Sequence, residues 1–94
     1  MKPMSKTAAA KMIKQVAGWK LDKSAKKIVR DFIFKDFKQA LRFTNTVGKI
    51  AEQEGHHPDI SIHYNRVAID LWTHSIGGLS ENDFIIAAKI NEIS

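Results

Sequence analysis

The 94-residue chain has no cysteine, which excludes a disulfide framework and catalysis by a thiol. It also has no run of the ~20 apolar residues that a membrane helix requires, so no membrane partner is expected. The remaining composition is typical of a globular protein, with 44% apolar and 27% charged residues. A chain of this length is expected to form a single domain over residues 1–94, and its small core favours assembly into a homodimer or homotetramer.

Acidic residues are scarce in the first half of the chain. Residues 1–50 contain thirteen Lys or Arg and three Asp or Glu, whereas residues 51–94 contain two and seven, so the halves carry +10 and −5. The basic residues are mostly scattered lysines without interleaved aromatics, which favours a solvated surface over a nucleic-acid site. No acid precedes Asp22, as in organelle presequences, but this segment is also typical of a domain helix. We expect a cytoplasmic location, with nuclear and organellar locations left open.

Hydrophobic spacing predicts three helices and two β-hairpins. The helices are expected at residues 5–17, at residues 35–54 and after Ser80, and the strands at residues 19–22, 27–34, 60–64 and 67–74. The order α-β-β-α-β-β-α predicts an α+β fold, in which a four-stranded antiparallel sheet carries three helices on one face. The long helix is predicted to have one apolar stripe, with Phe43 and Ile50 beside it: Phe37, Ala40, Leu41, Thr44, Val47, Gly48 and Ala51.

All four histidines, His56, His57, His63 and His74, fall within nineteen residues. A hairpin that closes at Asn65 would pair residues whose numbers sum to about 131, which places His57 opposite His74. These two rings are therefore expected at one end of the sheet, and the corner between helix and strand lets His56 reach the same cleft. His63 lies within a strand, away from that cleft, and is expected on the surface or in the core.

The residues alone leave three interpretations of this cluster open. Histidines at a polar corner can simply cap helix ends and bond carbonyl groups. Three imidazoles can also hold zinc, although an adjacent pair chelates poorly and no HExxH spacing occurs. The third interpretation is acid–base catalysis, because an imidazole with a pKa near ~6.5 gives or takes a proton near neutral pH. The pair Gly77-Gly78 after His74 favours a ligand close to the backbone.

The stretch GHHPDISIHYNRVAIDLWTHSIGGLSENDF, residues 55–84, resembles the signature of the pterin-4a-carbinolamine dehydratases, also known as dimerisation cofactors of a homeodomain transcription factor. The landmarks that carry the resemblance are His56-His57-Pro58, Tyr64-Asn65-Arg66-Val67, Thr73-His74, Gly77-Gly78-Leu79-Ser80 and Asp83. The resemblance extends from Trp19 to Ile90. The chain departs from the family pattern at Ile60, where an aromatic residue is common, and at Gly55, where an acidic residue is common.

The resemblance implies a hydro-lyase that removes water from 4a-hydroxytetrahydropterin without a metal or cofactor. It assigns proton transfer to His56 and His74, and orientation of the hydroxylated centre to His57. Five further residues are expected to bind the substrate or to support the histidines: Trp19, Glu52, Pro58, Thr73 and Asp83. The alternative is a non-enzymatic binding module, in which the surface of the helix at residues 35–54 receives a protein partner or a second copy of the chain.

Overall fold

The helices and strands follow the predicted order in the computed structural model, which describes residues 2–94. The helices are α1 (Lys6–Met12), α2 (Phe37–Glu54) and α3 (Glu81–Ile93), and the strands are β1 (Lys20–Leu21), β2 (Ile28–Ile33), β3 (Asp59–His63) and β4 (Arg66–Leu71). Short 3₁₀ turns occupy Ile13–Gln15 and His74–Ile76, so the first helix is shorter than predicted. The α+β prediction is confirmed.

The four strands form one antiparallel sheet with the order β1-β2-β4-β3. Its apolar side chains alternate along the strands and are buried against the helices, as Val67, Ile69 and Leu71 of β4 show. On the opposite face Asp31, Ser61 and other polar residues are exposed. The sheet is therefore covered on one face and open to solvent on the other.

The predicted stripe on α2 is only partly correct. Ala40, Val47 and Ala51 are buried as expected, but Phe37 and Leu41 are 47% and 42% exposed. Phe43, which was placed beside the stripe, faces the sheet instead, with its ring centroid 4.8 Å from that of Phe32 and 4.8 Å from that of Phe34. α2 therefore packs on the sheet through the side that carries Phe43, and the side that carries Phe37 and Leu41 faces outward.

The register of the second hairpin also differs from the prediction. His63 pairs with Arg66 and Ile60 with Ile69, so the paired numbers sum to 129 rather than about 131. The turn lies one residue earlier, because Tyr64 adopts a left-handed conformation with φ 54° and leaves the strand. Tyr64 is 66% exposed and does not share the inward face of Ile60. His57 and His74 are consequently not a cross-strand pair.

The helix ends that border the site follow the local sequence signals. The side chain of Asp36 accepts a hydrogen bond from the N–H of Gln39 at the start of α2. Gly55 ends α2 in a left-handed conformation with φ 63°, which glycine adopts without steric cost. Ser80 and Asp83 form a capping box at the start of α3. Within residues 2–94, no helix has both the length and the hydropathy needed to cross a membrane.

Candidate active site

A cavity of 350 Å³ opens where α2 and β4 both end. Three histidines contribute to its wall, namely His56, His57 and His74, and the remaining lining residues are Gly55, Trp72, Thr73 and Ser75. The sharp turn at Gly55 brings the adjacent histidine pair to one side of the cavity. The 3₁₀ turn that follows β4 brings His74 to it.

His56 is the most enclosed of the three histidines, with 13% of its side chain exposed. Its Nε2 atom lies 2.5 Å from Oδ1 of Asp83, a carboxylate that is fully buried. The other oxygen of Asp83 accepts hydrogen bonds from Thr73 Oγ1 at 2.8 Å and from the Ser80 N–H at 2.9 Å. Asp83 therefore fixes the orientation of the His56 ring while it also caps α3.

His57 has a carboxylate partner of its own, but this pair lies in solvent. Its Nε2 atom is 2.5 Å from Oε2 of Glu52, which lies in the last two turns of α2. The side chains are 64% and 77% exposed for His57 and Glu52, so water screens their attraction. The contact orients the ring more than it stabilises the fold.

His74 is held by an aromatic neighbour. The rings of His74 and Trp72 are stacked, with centroids 3.9 Å apart and planes inclined by 25°. Trp72 Nε1 donates a hydrogen bond to Oδ2 of Asp59 at 3.0 Å, and the same oxygen lies 4.0 Å from His74 Nε2. The cavity thus has three imidazoles in three different environments: one enclosed, one exposed and one stacked.

A known protein family matches nearly the whole chain. The family model described as "Pterin 4 alpha carbinolamine dehydratase" matches residues 2–93. The chain belongs to this family. Dehydratases of this kind are hydro-lyases, and the chain is accordingly an enzyme of that class.

Two curated relatives illustrate the relationship. A "Putative pterin-4-alpha-carbinolamine dehydratase" of Xanthomonas campestris pv. campestris (strain 8004) is 46% identical over 89% of this chain and 71% of its own length. The "Pterin-4-alpha-carbinolamine dehydratase 2, mitochondrial" of Arabidopsis thaliana is 47% identical over 99% of this chain. The chain spans 51% of the length of that protein.

Solved structures show the same fold. A crystal structure described as a transcriptional coactivator/pterin dehydratase from Brucella melitensis superposes with a TM-score of 0.92, 34% identity and 98% coverage of each chain. A pterin dehydratase-like protein, described as a RuBisCO assembly factor in the alpha-carboxysome, has a TM-score of 0.69 at 21% identity, with 81% of this chain and 88% of its own covered. The second likeness concerns the fold alone.

Among the residues singled out in the sequence, Trp19, Pro58 and His63 lie away from the cavity wall. Trp19 is 4% exposed and lies in the hydrophobic core, where its Nε1 atom donates to Oδ1 of Asn91 at 2.8 Å. Pro58 precedes β3 and shapes the corner without lining the cavity. His63 ends β3 as an exposed residue opposite Arg66. Trp19, which was expected to form a pocket wall, is thus a core residue.

Gly78 has a packing role that the sequence did not indicate. Gly78 is buried against the N-terminal segment, and a Cβ atom at this position would lie 2.6 Å from Cβ of Pro3. The N–H of Met4 also donates to the carbonyl oxygen of Leu79 at 2.7 Å. The close approach that requires glycine at position 78 is thus made by the chain's own N-terminal segment.

Trp72 and Asp59 were not predicted from the sequence to belong to the site. Trp72 occurs two residues before His74, a spacing that places both on one side of an extended chain. Asp59 follows Pro58 directly and starts the neighbouring strand β3. Both signals were present, but their contact depends on the register of the hairpin. In residues 2–94, no group of three or more His, Asp or Glu side chains is arranged to hold a metal ion.

Proposed function

We propose that the protein removes water from 4a-hydroxytetrahydrobiopterin by histidine acid–base catalysis and gives quinonoid dihydropterin. The observation that carries this proposal is the meeting of His56, His57 and His74 at one cavity, each next to an oriented partner. The substrate forms when a pterin-dependent aromatic amino-acid hydroxylase uses its cofactor. The quinonoid dihydropterin that the reaction gives would then enter the route that recycles tetrahydrobiopterin.

The reaction needs one proton donor and one proton acceptor. The hydroxyl group on C4a takes a proton and departs as water, and the C4a–O bond breaks with its electron pair. The lone pair of N5 forms the C4a=N5 double bond, and the N5 proton is then lost to a base. One proton is given and one is taken, so no oxidant or reductant enters. Imidazoles suit both steps near neutral pH.

We assign the role of the base to His56. When its Nε2–H donates to the buried carboxylate of Asp83, the ring is held in one tautomer and Nδ1 carries the free lone pair. His74 is the matching donor, because its ring is stacked rather than tied to a carboxylate at hydrogen-bond length. His57, oriented by Glu52, would bind the hydroxylated centre.

The decisive experiment is a dehydration assay with the carbinolamine generated in situ, in which spontaneous dehydration supplies the baseline. His56→Ala and His74→Ala should each lower kcat by roughly 10²-fold, while His57→Ala should act mainly on KM. His63→Ala is the matched control, because His63 is exposed and outside the cavity. Wild-type turnover no faster than the baseline, or full activity in both His56→Ala and His74→Ala, would refute the proposal.

Zinc catalysis by the same histidines predicts a different result. Elemental analysis would find stoichiometric zinc, and a chelator would abolish activity. Metal-free protein that is fully active and insensitive to chelator would support proton transfer by the imidazoles alone. The two arms need no variant and use the protein as purified.

The second candidate function is protein binding through α2. Its outward side exposes Phe37 and Leu41, and Ile33 at the end of β2 is 66% exposed. The Brucella structure is described as a transcriptional coactivator as well as a pterin dehydratase. This face would accept either a second copy of the chain or another protein. Leu41→Glu should disrupt such association in analytical ultracentrifugation and leave kcat per chain unchanged if the two functions are separate.

A further inference from the structure

Trp72 lines the cavity, but the proposed chemistry gives it no role. It follows β4, so its indole stands at the end of the open sheet face, in contact with the His74 ring at 3.9 Å between centroids. Its N–H is bound by Asp59, the first residue of the neighbouring strand β3. The hydrogen bond therefore links two strands at the rim of the cavity, next to a proposed catalytic ring.

The distances from the Asp59 carboxylate to Trp72 and to His74 show which of the two rings it binds. Oδ2 is 3.0 Å from Trp72 Nε1, which is hydrogen-bond length, but 4.0 Å from His74 Nε2, which is not. Asp59 therefore holds the indole, and the indole holds the imidazole. Since 55% of the His74 side chain is exposed, the stacked face is its main restraint within residues 2–94.

We propose that Trp72 is a positioning residue for His74, and that Asp59 acts on His74 only through Trp72. This inference rests on the proposed role of His74 in proton transfer. A proton donor must stand within hydrogen-bond reach of the departing hydroxyl, and a displacement of about 1 Å can cost about 10²-fold in rate. A flat ring packed against His74 restricts the two torsions that would cause such a displacement.

Kinetics of Trp72 variants test the role directly. Trp72→Ala should lower kcat by about 10-fold or more with a smaller change in KM, because a misplaced donor affects the transition state more than substrate binding. Trp72→Phe keeps a flat ring and should recover kcat to within about threefold of wild type. An effect confined to KM would instead make Trp72 a substrate-contact residue and overturn the inference.

Asp59 variants test the order of the contacts. Asp59→Asn retains an oxygen that accepts from the indole N–H and should stay near wild type, whereas Asp59→Ala should lower kcat. In the Trp72→Phe background, which has no N–H to hold, Asp59→Ala should add nothing. Equal losses in Asp59→Asn and Asp59→Ala, persisting in that background, would show that the charge acts on His74 directly.

A spectroscopic measurement separates this inference from the proposed function. The indole ring current displaces the His74 ring-proton resonances in NMR, and the chain's four histidines keep that spectrum simple. The His74 signals, assigned by their loss in His74→Ala, should shift in Trp72→Ala and remain in place in Trp19→Phe. Unshifted signals in Trp72→Ala would sink the inference even if the dehydratase activity is established, and a shift would support the stack even if that activity is absent.

Discussion

The Nε2 atom of His56 lies 2.5 Å from Oδ1 of Asp83, although 27 positions and two strands separate these residues in the chain. The other oxygen of Asp83 binds Thr73 and the N–H of Ser80. One buried carboxylate thus joins the corner after α2, the end of β4 and the first turn of α3. Because it serves both the helix cap and the histidine, the start of α3 and the His56 ring are coupled.

The first prediction concerns Asp83→Asn. An amide offers one accepting oxygen, whereas His56, Thr73 and Ser80 all donate to the carboxylate. If the amide oxygen keeps Thr73 and Ser80, the amide nitrogen replaces Oδ1 and cannot accept the His56 proton, so we expect the free energy of unfolding to fall by about 2 kcal/mol and kcat by about 10-fold to 100-fold. Urea unfolding and the dehydration assay measure the two effects. Unchanged kcat would show that Asp83 is only a capping residue.

The control for this change is Ser80→Ala. It removes the other half of the capping box but leaves the contact between His56 and Asp83 in place. Loss of an N-cap side chain costs about 1 kcal/mol, and kcat should remain within about threefold. A loss of kcat as large as that of Asp83→Asn would mean that the cap, rather than the histidine contact, governs activity.

The second prediction concerns Glu52→Gln. Glu52 and His57 are both mostly exposed, so the free energy of unfolding should change by less than about 0.5 kcal/mol. The loss of the contact frees the His57 ring, and we expect KM to rise by about threefold to tenfold. Glu54→Gln is the matched control, because Glu54 lies on the same helix as Glu52 and forms an ion pair with Lys89 of α3 at 2.7 Å. Equal kcat and KM in both variants would show that the contact between Glu52 and His57 is a surface ion pair without a role in catalysis.

The second hairpin shows which features the sequence could predict. Ile60 of β3 and Ile69 of β4 alternate with polar residues, which is the pattern of a strand with one buried face, and both pack toward the hydrophobic core in the structure. The register was wrong, because a left-handed Tyr64 at the turn has no signal as strong as that of glycine. The pairing sum shifted by an even number, so every strand residue nevertheless kept its face.

The site was less predictable than the sheet. The order of helices and strands was sufficient to bring His56, His57 and His74 to one end of the sheet, although the pairing argued for His57 and His74 was wrong. The stacking of Trp72 and the enclosure of Trp19 depend on side-chain packing that spacing does not encode. Of the two tryptophans, Trp19 therefore packs in the core and Trp72 lines the cavity, a difference that the sequence alone does not reveal.

The third prediction is a pH dependence of stability at the turn between β1 and β2. Partial burial alone would raise the pKa of Asp22, but hydrogen bonds from Ser24, Lys27 and Lys26, with the charge of Lys27, lower this pKa below its ordinary value of 3.8. The folded pKa lies below the unfolded one, so the carboxylate stabilises the fold above pH 3.8 and this contribution is lost as the pH falls through the folded pKa.

Asp22→Asn should therefore lower the free energy of unfolding at pH 7, and the gap to wild type should shrink as the pH falls below 3.8. Urea unfolding at a series of pH values measures this gap. Asp36→Asn, at the N-cap of α2, offers a comparison with a carboxylate that accepts a single backbone hydrogen bond. A gap for Asp22→Asn that is the same at pH 7 and pH 3 would contradict the prediction.

The last prediction separates the core tryptophan from the cavity. Trp19→Phe loses ring volume and the hydrogen bond to Asn91, while Asn91 Oδ1 keeps the Nη1 atom of Arg30 as its donor. No buried acceptor is orphaned, so we expect a loss of about 1–3 kcal/mol in the free energy of unfolding. Because Trp19 lies outside the cavity, kcat and KM should match wild type below the unfolding transition. A large fall in kcat at an unchanged free energy of unfolding would contradict this prediction and indicate that Trp19 takes part in the active site.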